Sequence, residues 1–167
     1  MITYSLICLK NKDPKKIFAR LIREVCGLDF NHVEILKETD IGPIKVSISY
    51  GAVSPVSRRI GLTELLDHYE IIHKIPLKVS VSTQEADLIL NKLLNKPYSI
   101  MQLVIILAKM YLTKYFKWLS GIKLNLDLDL ICTELVGDFE RDACKYSMPE
   151  STETLTLTDV LDIALKS

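Results

Sequence analysis

The chain has 167 residues, enough for one domain with a sizeable core and too few to divide comfortably into two. Lys plus Arg number 21 and so do Asp plus Glu, giving a formal net charge of zero. That balance argues against general nucleic-acid binding, which needs a basic footprint. The four cysteines, Cys8, Cys26, Cys132 and Cys144, include no pair at metal-ligand spacing, and the chain is too long for a disulfide-stapled mini-domain. Reduced thiols in the cytoplasm are the expectation, with no metal and no cofactor implied.

Residues 1–9 are apolar but carry neither a basic leader nor a small-residue cleavage site. Residues 100–112 are the most membrane-like stretch. They include Gln102 and Lys109 and fall short of the roughly 20 residues a spanning helix needs.

Taken in order, Thr3 to Leu9 reads as an interior strand. Asp13-Pro14 reads as a helix start, with Asp13 capping, and Ile17, Phe18, Leu21, Ile22 and Val25 give that helix an apolar face ended by Gly27. Asn31 to Lys37 is a second strand. Alternation sends Val33 and Ile35 to the core and His32, Glu34 and Leu36 to the opposite face. Gly42-Pro43 marks a hairpin turn into a third strand, Ile44 to Tyr50. Residues 51–60 read as a loop, 62–66 as one helical turn, and Tyr69 to Ile75 as a strand ended by Pro76. Ser82, with Glu85 three residues on, predicts a helix N-terminus, and Asn95-Lys96-Pro97 a break before Tyr98. Residues 99–119 read as one long or two short helices, and 125–129 as an extended or looped stretch. Met148-Pro149-Glu150 is a further break, and Thr158-Asp159 is expected to cap a last helix over 160–165.

Leu130-Ile131-Cys132-Thr133-Glu134-Leu135-Val136 holds the best candidate for chemistry. Past the cysteine, Leu135, Val136 and Phe139 recur at helical spacing, with Thr133, Glu134, Asp138, Glu140 and Arg141 forming a polar face. Cys132 then lies at a helix N-terminus, where unpaired N–H groups and the macrodipole favour a thiolate. The bland alternative is a small buried hydrophobe. A thiol hydrolase also needs an imidazole and a group to orient it. His32, on a clear strand, is the best-placed histidine. His68 reads as solvated, and His73 as structural or superficial.

These residues also carry a family resemblance. Asn31-His32-Val33-Glu34-Ile35 resembles the "S-H-V-E-[IL]" strand of circularly permuted NlpC-like proteins, a papain-like cysteine peptidase and amidase superfamily with phage and bacterial members. Ile131-Cys132-Thr133-Glu134-Leu135-Val136 is similar to their "[FI]-C-S-E-x-[VA]" helix start, and Lys96-Pro97-Tyr98 to their "G-x-P-Y". Ser49-Tyr50-Gly51-Ala52-Val53 with Arg58 is like the loop after their second strand, and residues 155–161 are like their closing "T-P-x-D-L". The resemblance spans residues 3–165. It departs at Asn31 and Thr133, where the family has serine, at the missing proline of the closing segment, and in a long insertion over residues 111–130.

The resemblance implies an α+β permuted papain-like fold, an antiparallel sheet packed on helices, in a single domain 1–167 with a helical insertion at about 99–122. It implies Cys132 as nucleophile, His32 as general base, and Tyr98 beside the substrate carbonyl or oxyanion. Glu34 would orient the imidazole, with Ser47 and Ser49 as alternatives from the neighbouring strand. The substrate would be an amide, peptide or peptidoglycan-like, in a bacterium or a phage-infected host cell. A lipid-directed acyltransferase or thioesterase is the alternative that the apolar 100–119 stretch motivates, and an inactive binding module is the third. The insertion reads first as a helix completing the core, ahead of a lid, a partner surface or a membrane contact.

Overall fold

Five antiparallel strands in the order β4-β3-β2-β1-β5 form the sheet on which the rest is built. The computed structural model describes residues 1–113, 131–147 and 155–166. The chain is α+β, and its strands are β1 (Ile2–Asn11), β2 (His32–Ile41), β3 (Ile44–Val53), β4 (Val56–Gly61) and β5 (Tyr69–Leu77). The helices are α1 (Ile17–Cys26), α2 (Leu62–His68), α3 (Thr83–Lys92), α4 (Ile100–Thr113), α5 (Cys132–Phe139) and α6 (Leu157–Lys166), and a π-helical turn, Glu140–Cys144, continues α5. No helix among the described residues is long and apolar enough to cross a membrane.

The period-2 pattern of β1 and β2 explains the layering. Cys8 pairs with Val33 and Leu6 with Ile35, and these side chains face Leu135, Val136 and Phe139 of α5 in the main core. Leu9 pairs with His32 and Ile7 with Glu34, on the other face. That face is covered too: Ile7, Leu9 and Leu36 pack against Leu65 of α2 in a second, smaller cluster. The His32 side of β2 is therefore interior, which strand alternation alone does not reveal.

Several expected boundaries move, each for a local reason. Asp13 does not cap α1. Its carboxylate accepts from the Lys15 N–H, closing a turn before the helix starts at Ile17. Gly27 does end α1, in the left-handed conformation with φ +68°. Residues 51–60 are not a loop. β3 runs on to Val53 and turns back as β4, with Tyr50 opposite Arg59 and Ala52 opposite Ser57. β4 is a short charged edge strand, a form that discourages further strand addition. Pro76 does not end β5 but pairs with Ser5, tolerated because β5 is the other edge. The cap of α6 is Thr156 rather than Thr158: its hydroxyl accepts from the Asp159 N–H while the Asp159 carboxylate accepts from the Thr156 N–H. Ser82 caps α3 as expected, accepting from the Glu85 N–H at 3.2 Å. The readings for residues 114–130 and 148–154 lie outside the described residues.

The expected polar face of α5 is the largest departure. Thr133, Glu134 and Glu140 are all buried. Glu134 turns back to accept from the Ile131 N–H at 2.8 Å, so its carboxylate serves the helix start rather than solvent. Glu140 follows buried Val136 and Gly137 at helical spacing, which places its side chain inward at the start of the π-helical turn.

Candidate active site

His32 opens β2 and Cys132 opens α5, so two element starts supply the central pair. α5 packs on the Val33 face of the sheet, and its N-terminus reaches the His32 ring around the end of the strand. Ile131 is the extended residue before the helix, and Glu134 fixes its N–H, so the cysteine's approach to the sheet is set locally.

The ring is bracketed by two partners. Its Nε2 donates to Glu34 Oε1 at 2.9 Å, and Cys132 is near enough on the other side to raise the ring's pKa. With Nε2 committed to a carboxylate, Nδ1 is the nitrogen left for sulfur. Glu34 is held in turn: Ser49 Oγ donates to its Oε2 at 2.5 Å. Both carboxylate oxygens are thus satisfied on a residue that is 1% exposed, which is what a buried charge requires. Burial of the His32 ring works against its charge, yet Cys132 and then Glu34 outweigh it and hold the pKa well above the ordinary histidine value.

β3 makes room for this arrangement. The pairing of Ile35 with Tyr50 sets Gly51 beside Glu34, and a Cβ on Gly51 would lie 2.5 Å from Glu34 Cγ and collide with the carboxyl group. Only a glycine leaves the carboxylate free to lie between His32 and Ser49. Gly51→Ala is therefore expected to destabilise the chain by about 1–3 kcal/mol and to slow any reaction of Cys132 that uses His32. Urea unfolding and alkylation kinetics would measure the two effects.

Tyr98 follows the expected break, with its N–H bonded to the Pro55 carbonyl. It lines a cavity of about 40 Å³ together with Cys132, Thr133 and Asn31. It also lines the much larger neighbouring cleft of about 570 Å³, together with His32 and Tyr69. Burial, with Cys132 and Tyr69 adding to it, pushes the Tyr98 phenol up, so the hydroxyl stays protonated as a donor. Tyr98 thus borders both spaces, the small cavity that Cys132 lines and the larger cleft that His32 lines, while Glu34 lies behind the ring. Of the alternative orienting residues, Ser49 stands behind Glu34 and Ser47 makes no hydrogen bond to the ring.

Three neighbours were not assigned roles from sequence. Gly51 needs the strand register to be noticed. Tyr69 lies over the His32 ring with centroids 5.7 Å apart, from two strands away, and sequence offers no signal for that. Asn31, whose Oδ1 accepts from the Asn11 N–H at 3.0 Å and from Arg23 at 3.2 Å, pins the residue before the histidine. His68 and His73 are exposed and lie outside the group. No cluster of three or more potential metal ligands occurs among the described residues.

The chain matches no protein-family model and no curated protein.

Proposed function

We propose that this protein is a cysteine hydrolase of amide bonds with a permuted papain-like fold. What carries the reading is the chain of contacts Cys132–His32–Glu34–Ser49, buried beside an open cleft. In this mechanism the Cys132 thiol gives its proton to His32, and the sulfur attacks the substrate carbonyl. The oxyanion takes hydrogen bonds from the Cys132 backbone N–H at the start of α5 and from the Tyr98 hydroxyl. His32 then hands its proton to the leaving amine, and the carbonyl remains on sulfur as a thioester. Water, deprotonated by His32, releases the acyl group and restores the thiol.

The other cysteines provide a control. Burial pushes the Cys8 and Cys144 thiols up to about 12, with Asp29 and Glu140 adding to it at Cys8 and Glu140 at Cys144, which leaves them neutral and unreactive at ordinary pH. Iodoacetamide at about pH 6 is expected to modify Cys132 far faster than Cys8, Cys26 or Cys144, read by peptide mass spectrometry. A panel of short peptide amides, compared between the wild type and Cys132→Ala, tests the hydrolysis itself. Equal, slow labelling together with no turnover of any amide would leave the chain as a binding module.

A second reading, a lipid-directed thioesterase or acyltransferase, is favoured by one observation. The cavity at Cys132 is walled mainly by apolar residues, among them Ile22, Leu107, Ile131, Leu155 and Leu157. Long-chain acyl thioesters tested beside the peptide amides separate the two.

A further inference from the structure

α1 is more apolar than its place in the core requires. Ile22 and Val25 of its apolar stripe are buried, as the amphipathic pattern demands. Ile17, Phe18 and Leu21 continue that stripe yet are 77%, 54% and 40% exposed. α4, which packs beside it, adds exposed Val104, Tyr111 and Leu112. Between the two helices runs an almost wholly apolar groove of about 320 Å³ lined by Phe18, Leu21, Val104 and Tyr111 among others. Isolated exposed hydrophobes are ordinary, but a contiguous patch on two adjacent helices marks an interaction surface.

The charge around this patch selects its partner. Residues 10–24 hold six cations, Lys10, Lys12, Lys15, Lys16, Arg20 and Arg23, against Asp13 and Glu24, in a chain whose net charge is zero. Lys37, Lys45 and Lys74 are each tied to a carboxylate. Lys15 and Lys16 are exposed and have no carboxylate partner among the described residues. They immediately precede Ile17 and Phe18, so ammonium groups border the apolar side chains. An aromatic and aliphatic patch rimmed by unpaired cations is the arrangement that lies in the interface of an anionic bilayer. An acidic protein would satisfy the lysines but offers no reason for so much uncovered hydrocarbon.

We propose that α1 and α4 dock this protein onto anionic lipid surfaces, with Ile17, Phe18 and Leu21 inserted among the acyl chains and Lys15 and Lys16 on the headgroups. The cleft that contains His32 and Tyr98 is lined at its mouth by Lys15, Lys16, Ile17 and Phe18, so docking turns it toward the membrane. The docking stands independently of the hydrolase reading.

Flotation with vesicles tests it, using the full chain carrying Cys132→Ala so that binding is read without acyl chemistry. Vesicles of phosphatidylcholine with about 30% phosphatidylserine are expected to carry up the protein at least about tenfold more strongly than phosphatidylcholine alone. Lys15→Glu with Lys16→Glu should abolish that preference, and Phe18→Asp should weaken binding to both vesicle types. Circular dichroism checks that each variant is folded, and Lys15→Gln with Lys16→Gln replaces the reversal should that one unfold. Absence of binding, equal binding to both compositions, or binding indifferent to these variants would overturn the proposal. So would a dimer, seen by analytical ultracentrifugation and lost in Phe18→Asp, in a protein that ignores vesicles: the patch would then belong to a second copy of the chain.

Discussion

Replacing His32 with glutamine is expected to slow the acylation of Cys132 by p-nitrophenyl acetate by a factor on the order of 10²–10⁴. Glutamine is the informative choice because of Glu34. That carboxylate is buried and takes one of its two hydrogen bonds from the ring. Alanine would leave half of it unsatisfied, at a cost of several kcal/mol in stability, about 3–5 for a buried pair broken from one side. A glutamine amide still offers an N–H to Glu34, but it cannot take a proton from sulfur. The chain should therefore fold and lose its reactivity, seen as a vanished burst of p-nitrophenolate. Cys132→Ala should lose the burst outright. Glu34→Gln should fall between the wild type and His32→Gln, because it weakens the hold on the ring while leaving a base in place.

The second large effect concerns stability. Glu140 is fully buried, and neither of its carboxylate oxygens has a hydrogen-bond partner among the described residues. Burial pushes its pKa from 4.5 up to about 8. The folded chain thus keeps a proton that the unfolded chain has already lost between those values. The stability of this neutral carboxyl is fully present below about pH 4.5 and falls as pH rises through about 8, by at most about 1.4 kcal/mol per unit. His32, whose pKa is also raised, tilts stability the same way from about pH 6.5 upward. Comparison with Glu140→Gln isolates the carboxyl. That variant should lose the slope due to residue 140 and exceed the wild type by roughly 4 kcal/mol near pH 8, measured by urea unfolding. Equal stability of the two proteins near pH 8 would mean that Glu140 reaches water or a partner.

Features set by neighbouring residues are legible in this sequence, and those set by strand order are not. Cys132 at a helix start is legible because an apolar run, a Glu at the third helical position and helical spacing all lie within a few residues. The pairing of His32 with Glu34 is legible because two residues apart on a strand means the same face. Gly51, Ser49 and Tyr69 are not legible in their roles, since each depends on which strands are neighbours and in what register. The burial of the His32 face was hidden for a related reason: α2 covers it from a distant part of the chain, with Leu65 against Leu9 and Leu36. Glu140 reads as one more polar residue on a helix surface, although it lies three and four residues past buried Gly137 and Val136 on the face that packs inward.

The proposed chemistry requires sulfur and imidazole to share a proton across the junction of β2 and α5. NMR titration of the His32 ring tests it most directly, in the wild type and in Cys132→Ala. The ring is expected to hold its proton well above the ordinary value of about 6.5 in the wild type, and to release it at distinctly lower pH once the sulfur is removed. A ring that titrates at or below its ordinary value with Cys132 present, or that is indifferent to the loss of Cys132, would contradict it.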